Sequence, residues 1–266
     1  MATAKKASKT TAVVPAKRNE VGAASDWRAE LAQYAQKTVK MEEATRSGNR
    51  ISTRGGRLSY HDTPLKNNEM TVLILSAMIE NVYYEGKFDP DSPASPVCFA
   101  FSTDGEDMAP HEKAHSPQND ICAGCPHDEW GSSDTGKGKA CKNVRRLAVI
   151  PMDDVSEDAI LTGEIATLNV PVMSVRGYSA YVKELALSAG LPPFAWQTRI
   201  FLEPDPKSQF RVCFQAADRK PLPEKFYPAI LKRVKEAEKL LDTPYVFVEP
   251  PEPKAKPVKR AAAKKF

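Results

Sequence analysis

Apolar residues recur along this chain with two different periods. In SDWRAELAQYAQKTVKMEEATR, residues 25–46, Trp27, Leu31 and Tyr34 fall at helical spacing behind Ser25 or Asp26 as N-cap, which predicts an amphipathic helix ending near Gly48. ISTRGGRLSY (51–60) and TVLILSAMIENVYYEG (71–86) read as strands, with the turn HDTPLKNN between them. The second is apolar on both parities, Val72, Ile74 and Met78 against Leu73, Leu75 and Ile79, so it is expected to be covered on both faces. From about 87 to 143 the periodicity vanishes into Pro, Asp, Ser and Gly, and a loop of that length implies function or a local scaffold. Regularity returns with strand-like RRLAVIP (145–151) and GEIATLNVP (163–171). Ser174 then reads as the cap of a helix striped by Val175, Tyr178, Tyr181, Val182 and Leu185 and stopped by Gly190. The strands AWQTRIFLE and QFRVCFQA flank the turn PDPKS, and PEKFYPAILKRVKEAEKLL closes the pattern as a helix.

This succession is close to that of a five-stranded Greek-key barrel of the OB type, in which a helix lies between the third and fourth strands. It contains one strand too many, so one of the pair after the long loop is read as an extra. The expected fold is β-rich α+β: a five-stranded OB-like barrel over residues 26–250, interrupted between its second and third strands, with flanking helices. An unrelated mixed α+β domain is the rival.

Composition changes the picture mainly at the ends. The chain has 266 residues, 41% of them apolar, enough for a substantial core. Residues 1–25 carry five cations against one anion and residues 252–266 six against one, which leaves the middle net negative. Both ends, 1–25 and 251–266, therefore read as disordered basic arms that contact an anionic surface or serve solubility alone. No run is long and apolar enough for a spanning helix and the N-terminus lacks a secretory core, which implies an intracellular, cytoplasmic protein.

Of the five cysteines, Cys98, Cys122, Cys125, Cys141 and Cys213, three crowd into ICAGCPHDEWGSSDTGKGKACKNVRRL (121–147). An odd, clustered set in a reducing compartment points to a metal rather than to disulfides. Zn2+ takes four tetrahedral ligands, and Cys122-x-x-Cys125 with Cys141 sixteen positions later suits a ribbon-like site. Cys98 is favoured as the fourth ligand over His115 and His111, while His127 is expected to point outward. Four protein ligands would make the zinc structural, since a closed shell leaves no place for a reacting water. The plainer reading is that the cysteines are small buried hydrophobes.

GSSDTGKG (131–138) imitates a phosphate loop, but Gly138 stands where Ser or Thr is needed for magnesium, and neither strand nor helix flanks it. The cations around it remain chemically useful. Lys137, Lys139, Lys142, Arg145 and Arg146 surround Cys141, with Trp130 nearby, and a metal-fixed loop carrying cations and an indole can hold a phosphate backbone while a base stacks. Trp130 equally well covers the metal. Arg199, Phe201 and Arg211 on the last two strands form a second basic and aromatic set, and of the adjacent Tyr83 and Tyr84 one must be exposed, here read as Tyr84.

The YY, PxC, CxxCP and GxGKxC order, carried by ENVYYEGKFDPDSPASPVCFAFSTDG and SPQNDICAGCPHDEWGSSDTGKGKACKNVRRLAV, resembles a family of tailed-phage proteins, as does the later TPY. The resemblance covers roughly residues 51–246. It implies that Cys98, Cys122, Cys125 and Cys141 are the four cysteines of the family, and that the chain is a single-stranded DNA-binding protein of phage replication. The plan is similar to that of the T-even phage binding protein, whose OB fold carries a zinc-holding insertion. One departure stands out: such binders commonly end in an acidic tail, whereas this chain ends KPVKRAAAKKF.

The leading expectation is a sequence-tolerant, non-enzymatic single-stranded DNA-binding protein with structural zinc, acting with phage replication proteins in the bacterial host cytoplasm. The alternative is a zinc-stabilised protein-interaction module of phage replication, transcription or packaging machinery. A metal-dependent hydrolase is a third class, for which Asp153, Asp154, Glu157 and Asp158 cluster without an accompanying base.

Overall fold

The computed structural model describes residues 31–35, 37, 49–86 and 95–247. The chain divides into two units, residues 1–47 and 48–266. In the first, residues 31–35 and 37 are helical, in line with the first predicted helix; Trp27 and the caps of that helix lie outside the described residues, as do both basic arms.

The second unit is built on a single nine-stranded sheet. Its strands are β1 (Arg50–Ser52), β2 (Ser59–Tyr60), β3 (Thr63–Pro64), β4 (Glu69–Tyr83), β5 (Cys98–Ser102), β6 (Lys142–Pro151), β7 (Ala166–Val170), β8 (Gln197–Asp205) and β9 (Gln209–Ala216). They follow the order β3-β2-β1-β7-β6-β4-β8-β9, with β5 paired to β4 alone. All pairings are antiparallel except β1 with β7.

β4 organises the sheet. Its fifteen residues give β6 a partner from Val72 to Val82 on one edge, while the other edge serves β8 from Glu69 to Leu73 and then β5 from Ile79 to Tyr83. The doubly apolar run is covered on both faces, as its pattern predicts. Val72 and Ile74 join Leu147, Val149, Leu168 and Ile200 beneath helix α2 (Val172–Ala189), which contributes Tyr178, Tyr181 and Leu185. Leu73 and Leu75 join Ile150, Ile160, Ile230 and Leu241, which places α1 (Glu157–Thr162) and α3 (Tyr227–Leu241) on the opposite face. One parity differs from expectation: Met78 packs with Leu73 and Leu75, because a register shift between Ile74 and Ser76 inserts an extra residue and reverses the alternation beyond it.

Two local readings change. The predicted strand 51–60 breaks into β1 and β2, because Gly55 and Gly56 take positive φ (63° and 69°) in the turn Arg54–Gly56. The interruption falls between β4 and β6, the strands at 71–86 and 145–151 between which the sequence places it. Ser174 does not cap α2; Pro171 holds the N-cap position, and the buried Ser174 Oγ accepts the Val212 N–H at 2.9 Å, tying the helix to β9. Gly190 does end that helix, in the left-handed conformation. Glu157 and Asp158 lie in the first turn of α1, capped by Ser156, where acidic residues complement the helix dipole.

The five-strand count is not met: nine strands form a sheet that curls without closing. A Cβ on Gly56 would stand 3.4 Å from the Phe210 ring, so the region of β1 and β2 approaches β9 across the seam, yet β3 and β9 remain the ends of the hydrogen-bonded order. Among the described residues no helix is long and apolar enough to cross a membrane.

Candidate metal centre and nucleic-acid surface

Three pieces of the β4–β6 connection bring the cysteines together. Cys98 opens β5 opposite Tyr83. Cys122 and Cys125 share a tight turn in which the Cys125 N–H donates to the Cys122 carbonyl at 3.2 Å and Gly124 supplies a positive φ of 77°. Cys141 precedes β6, its N–H donating to the His127 carbonyl at 2.8 Å. All four line one cavity of about 20 Å³, the space of a single water-sized sphere, together with Tyr83, Phe99 and Asp128. Cys213 lies apart on β9, its thiol donating to Glu203 at 3.4 Å.

Burial raises the thiol pKa values of Cys98 and Cys122 and pushes that of Cys141 up to about 12, with the neighbouring thiols acting in the same direction. Two hydrogen bonds oppose this: the Gln118 backbone N–H at Cys98 and the Asn81 amide at Cys122. Donors aimed at sulfur favour thiolate, the form that binds metal. Asn81, Asp128 and Asn143, none of them singled out from sequence, form a network beside the cavity. Asn143 Nδ2 donates to Asn81 Oδ1 at 2.6 Å and to Asp128 Oδ1 at 2.9 Å, and Lys139 Nζ donates to the same carboxylate at 3.0 Å. A signal existed for Asn81, a polar residue at 7% exposure within an apolar run.

As the side chains stand, no group of three or more His, Cys, Asp or Glu among the described residues is arranged to hold a metal ion. The donor set nevertheless fits zinc by identity and number. The competing histidines are engaged elsewhere: His111 stacks on Phe99 with centroids 5.1 Å apart, and His115 on Phe247 at 3.7 Å. Neither lines the cavity. His127 does not point outward; the turn Pro126–Asp128 folds it back to line the cavity and stack on Tyr83 at 4.1 Å.

No protein family, curated protein or solved structure matches the chain.

The expected nucleic-acid contacts separate into three kinds. Trp130 is 83% exposed and does not line the cysteine cavity, so it is no lid on it. Lys137, Lys142 and Tyr84 are exposed as well, and Arg145 is half-buried. The phosphate-loop imitation closes on itself, the Gly131 N–H donating to the Gly138 carbonyl at 2.8 Å, which removes a donor such a loop would need. Other cations are already neutralised: Lys139 by Asp128, Arg199 by Glu69 and Arg211 by Asp205. Arg199 also lies over the half-buried Phe201 ring, 4.5 Å from its centroid.

Arg146 requires a correction, because it is buried at 8% exposure and is not free for phosphate. Its guanidinium donates to Glu80 at 2.5 Å and to the carbonyls of Leu241 and Thr243 at 3.1 and 2.9 Å, against the rings of Phe101 and Tyr245. Tyr245, the tyrosine of the TPY motif, donates to the same Glu80 oxygen at 2.6 Å. The two expected contact sets also stand apart. Phe201 pairs with Glu69 and Cys98 with Tyr83, at opposite ends of β4, about 45 Å along the strand at 3.3 Å per residue.

Proposed function

We propose that this chain is a sequence-tolerant single-stranded DNA-binding protein of phage replication or recombination, with structural zinc held by Cys98, Cys122, Cys125 and Cys141. The observation that carries the reading is the position of the cysteine lobe in the β4–β6 connection, with Trp130 and Lys137 exposed on it. The long strands and α2 run β4, β6, β7, α2, β8, β9, and β4 pairs with both β6 and β8. That succession supports reading the long strands as an OB-like barrel opened between its third and fifth strands. In the OB plan the loops joining strands one to two and four to five engage oligonucleotides; their counterparts here are the cysteine lobe and the turn 206–208. The exposed indole offers a stacking platform and the lysines a track for phosphate, neither of which discriminates among sequences. Bound zinc would supply a cross-link between three segments of a lobe that has little regular structure.

A second reading is favoured by one observation: Lys139, Arg199 and Arg211 are ion-paired and Arg146 is buried. That leaves fewer cations for DNA and suits a zinc-stabilised protein-interaction module. Salt separates the two, since phosphate binding weakens steeply as salt rises and a mainly apolar protein contact does not. Fluorescence anisotropy of a labelled oligothymidylate at two salt concentrations, with zinc stoichiometry measured on the same sample, decides between them.

A further inference from the structure

The seam where the sheet fails to close holds a cleft of about 250 Å³, far larger than the cysteine cavity. Gly55 and Gly56 form one wall, Pro204 and Phe210 the other, with Asn68 and Glu203 completing it. It is made in part by the turn between β1 and β2, strands that a five-stranded barrel lacks. Asn68 fixes that wall: its Oδ1 accepts the Leu58 N–H and its Nδ2 donates to the Gly56 carbonyl, both at 3.2 Å. A Cβ at Gly55 would meet nothing within 4 Å, so the backbone there faces open space.

Charge identifies an occupant. Arg54, Arg57, Lys66 and Lys207, which flank the walls in sequence, are all exposed, and among the described residues none of them has an ion-pair partner. The cations on the neighbouring face of β8 and β9, Arg199 and Arg211, are paired, so the seam carries a concentration of uncompensated positive charge. Glu203 is the acidic residue in the lining. The cleft also adjoins the β8–β9 turn, the second loop of the OB plan.

We propose that this seam is a second single-stranded DNA contact, taking one base against the Phe210 ring while Arg54, Arg57 and Lys207 hold the flanking phosphates. The proposal rests on the single-strand-binding reading and adds to it a site remote from the cysteine lobe. Aromatic stacking accepts any base, and a rim of cations tracks the backbone, so the site is sequence-tolerant.

The test uses the full chain and a bromodeoxyuridine-substituted oligothymidylate, photocross-linked and mapped by mass spectrometry. It is paired with anisotropy salt titrations of the double variant Arg54→Glu/Arg57→Glu and of a control, Lys232→Glu/Lys235→Glu, on exposed positions of α3. The expected result is a cross-link at Phe210, an affinity loss of about tenfold or more in the first variant, and a salt slope lower by about two, one per lost phosphate contact. The control variant keeps its affinity, and both variants keep their unfolding temperature. Wild-type binding with no cross-link at Phe210, or equal losses in both variants, overturns the seam site and leaves the single-strand-binding reading standing. Absence of oligothymidylate binding by the wild-type chain overturns that reading, and the seam site falls with it.

Discussion

Replacing Arg146 with methionine keeps an unbranched apolar stem and removes the guanidinium and its charge from a place where water cannot substitute. Glu80 is fully buried, its Oε1 receives Arg146 and Tyr245, and its Oε2 has no hydrogen-bond partner. The substitution leaves a buried carboxylate with a single neutral donor and strips a donor from the carbonyls of Leu241 and Thr243. Breaking a buried pair from one side costs about 3–5 kcal/mol, which for a domain of this size lowers Tm by roughly 6–20 °C. Removing both charges, as in Glu80→Gln/Arg146→Met, eliminates the stranded carboxylate, so the double variant is expected to recover at least ~1.5 kcal/mol over the single one. Tyr245→Phe withdraws one hydrogen bond from a charged acceptor and is expected to cost about 1.5–3 kcal/mol. Urea unfolding of the four proteins in zinc-replete buffer measures all of these terms. If Arg146→Met loses less than ~1 kcal/mol, the pair is not the buried, mutually dependent one inferred from the geometry.

Trp130→Ala is expected to weaken oligothymidylate binding roughly 5- to 150-fold, the range of one lost stack, without moving Tm; unchanged affinity would remove the indole from the interface. Burial raises the thiols of Cys98, Cys122 and Cys141, so zinc must displace protons to bind and its affinity falls as pH falls. A chromogenic chelator should then report metal release as the pH is lowered from about 8 to about 5, and retention independent of pH would contradict four thiolate ligands. Neither apolar core includes a cysteine, so chelation should raise amide exchange in residues 95–141 and leave the strands under α2 and α3 protected; global unfolding would refute that separation. Gly163→Ala would place a Cβ 2.5 Å from the Ala159 carbonyl oxygen and 2.6 Å from Ile150 Cγ2. The resulting overpacking is expected to cost about 1–3 kcal/mol in a denaturant titration, and a neutral result would mean that the α1 end yields easily.

Much of the sheet is legible in local pattern, because strands covered on both faces write two apolar parities into consecutive residues, as 72–75 do. The reversal at Ile74/Ser76 is not legible, since a bulge is set by the partner strand and leaves no glycine or proline behind. In 51–60 the paired glycines are the visible sign of a break in the strand. Spacing gathers Cys122, Cys125 and Cys141 and leaves Cys98 competing with His115 and His111, whereas the Asn81, Asp128 and Asn143 network depends on residues up to 62 positions apart. Adjacent Arg145 and Arg146 must point to opposite faces, and which one is buried is decided by Glu80, 66 positions away. The ordering of long strands reads as a barrel from sequence, but whether β7 and β9 pair or are held apart by the β1–β3 segment is a long-range outcome.

The most direct test of the central claim is the salt dependence of oligothymidylate binding by a chain trimmed of residues 1–25 and 251–266, compared with the full chain and with the trimmed Lys137→Glu/Lys142→Glu variant. The account predicts salt-sensitive binding that survives trimming, with a slope lower by about two in the variant, one per phosphate contact. Binding that disappears with the arms, or that ignores both salt and the charge reversals, would mean that the folded unit is not a single-strand binder.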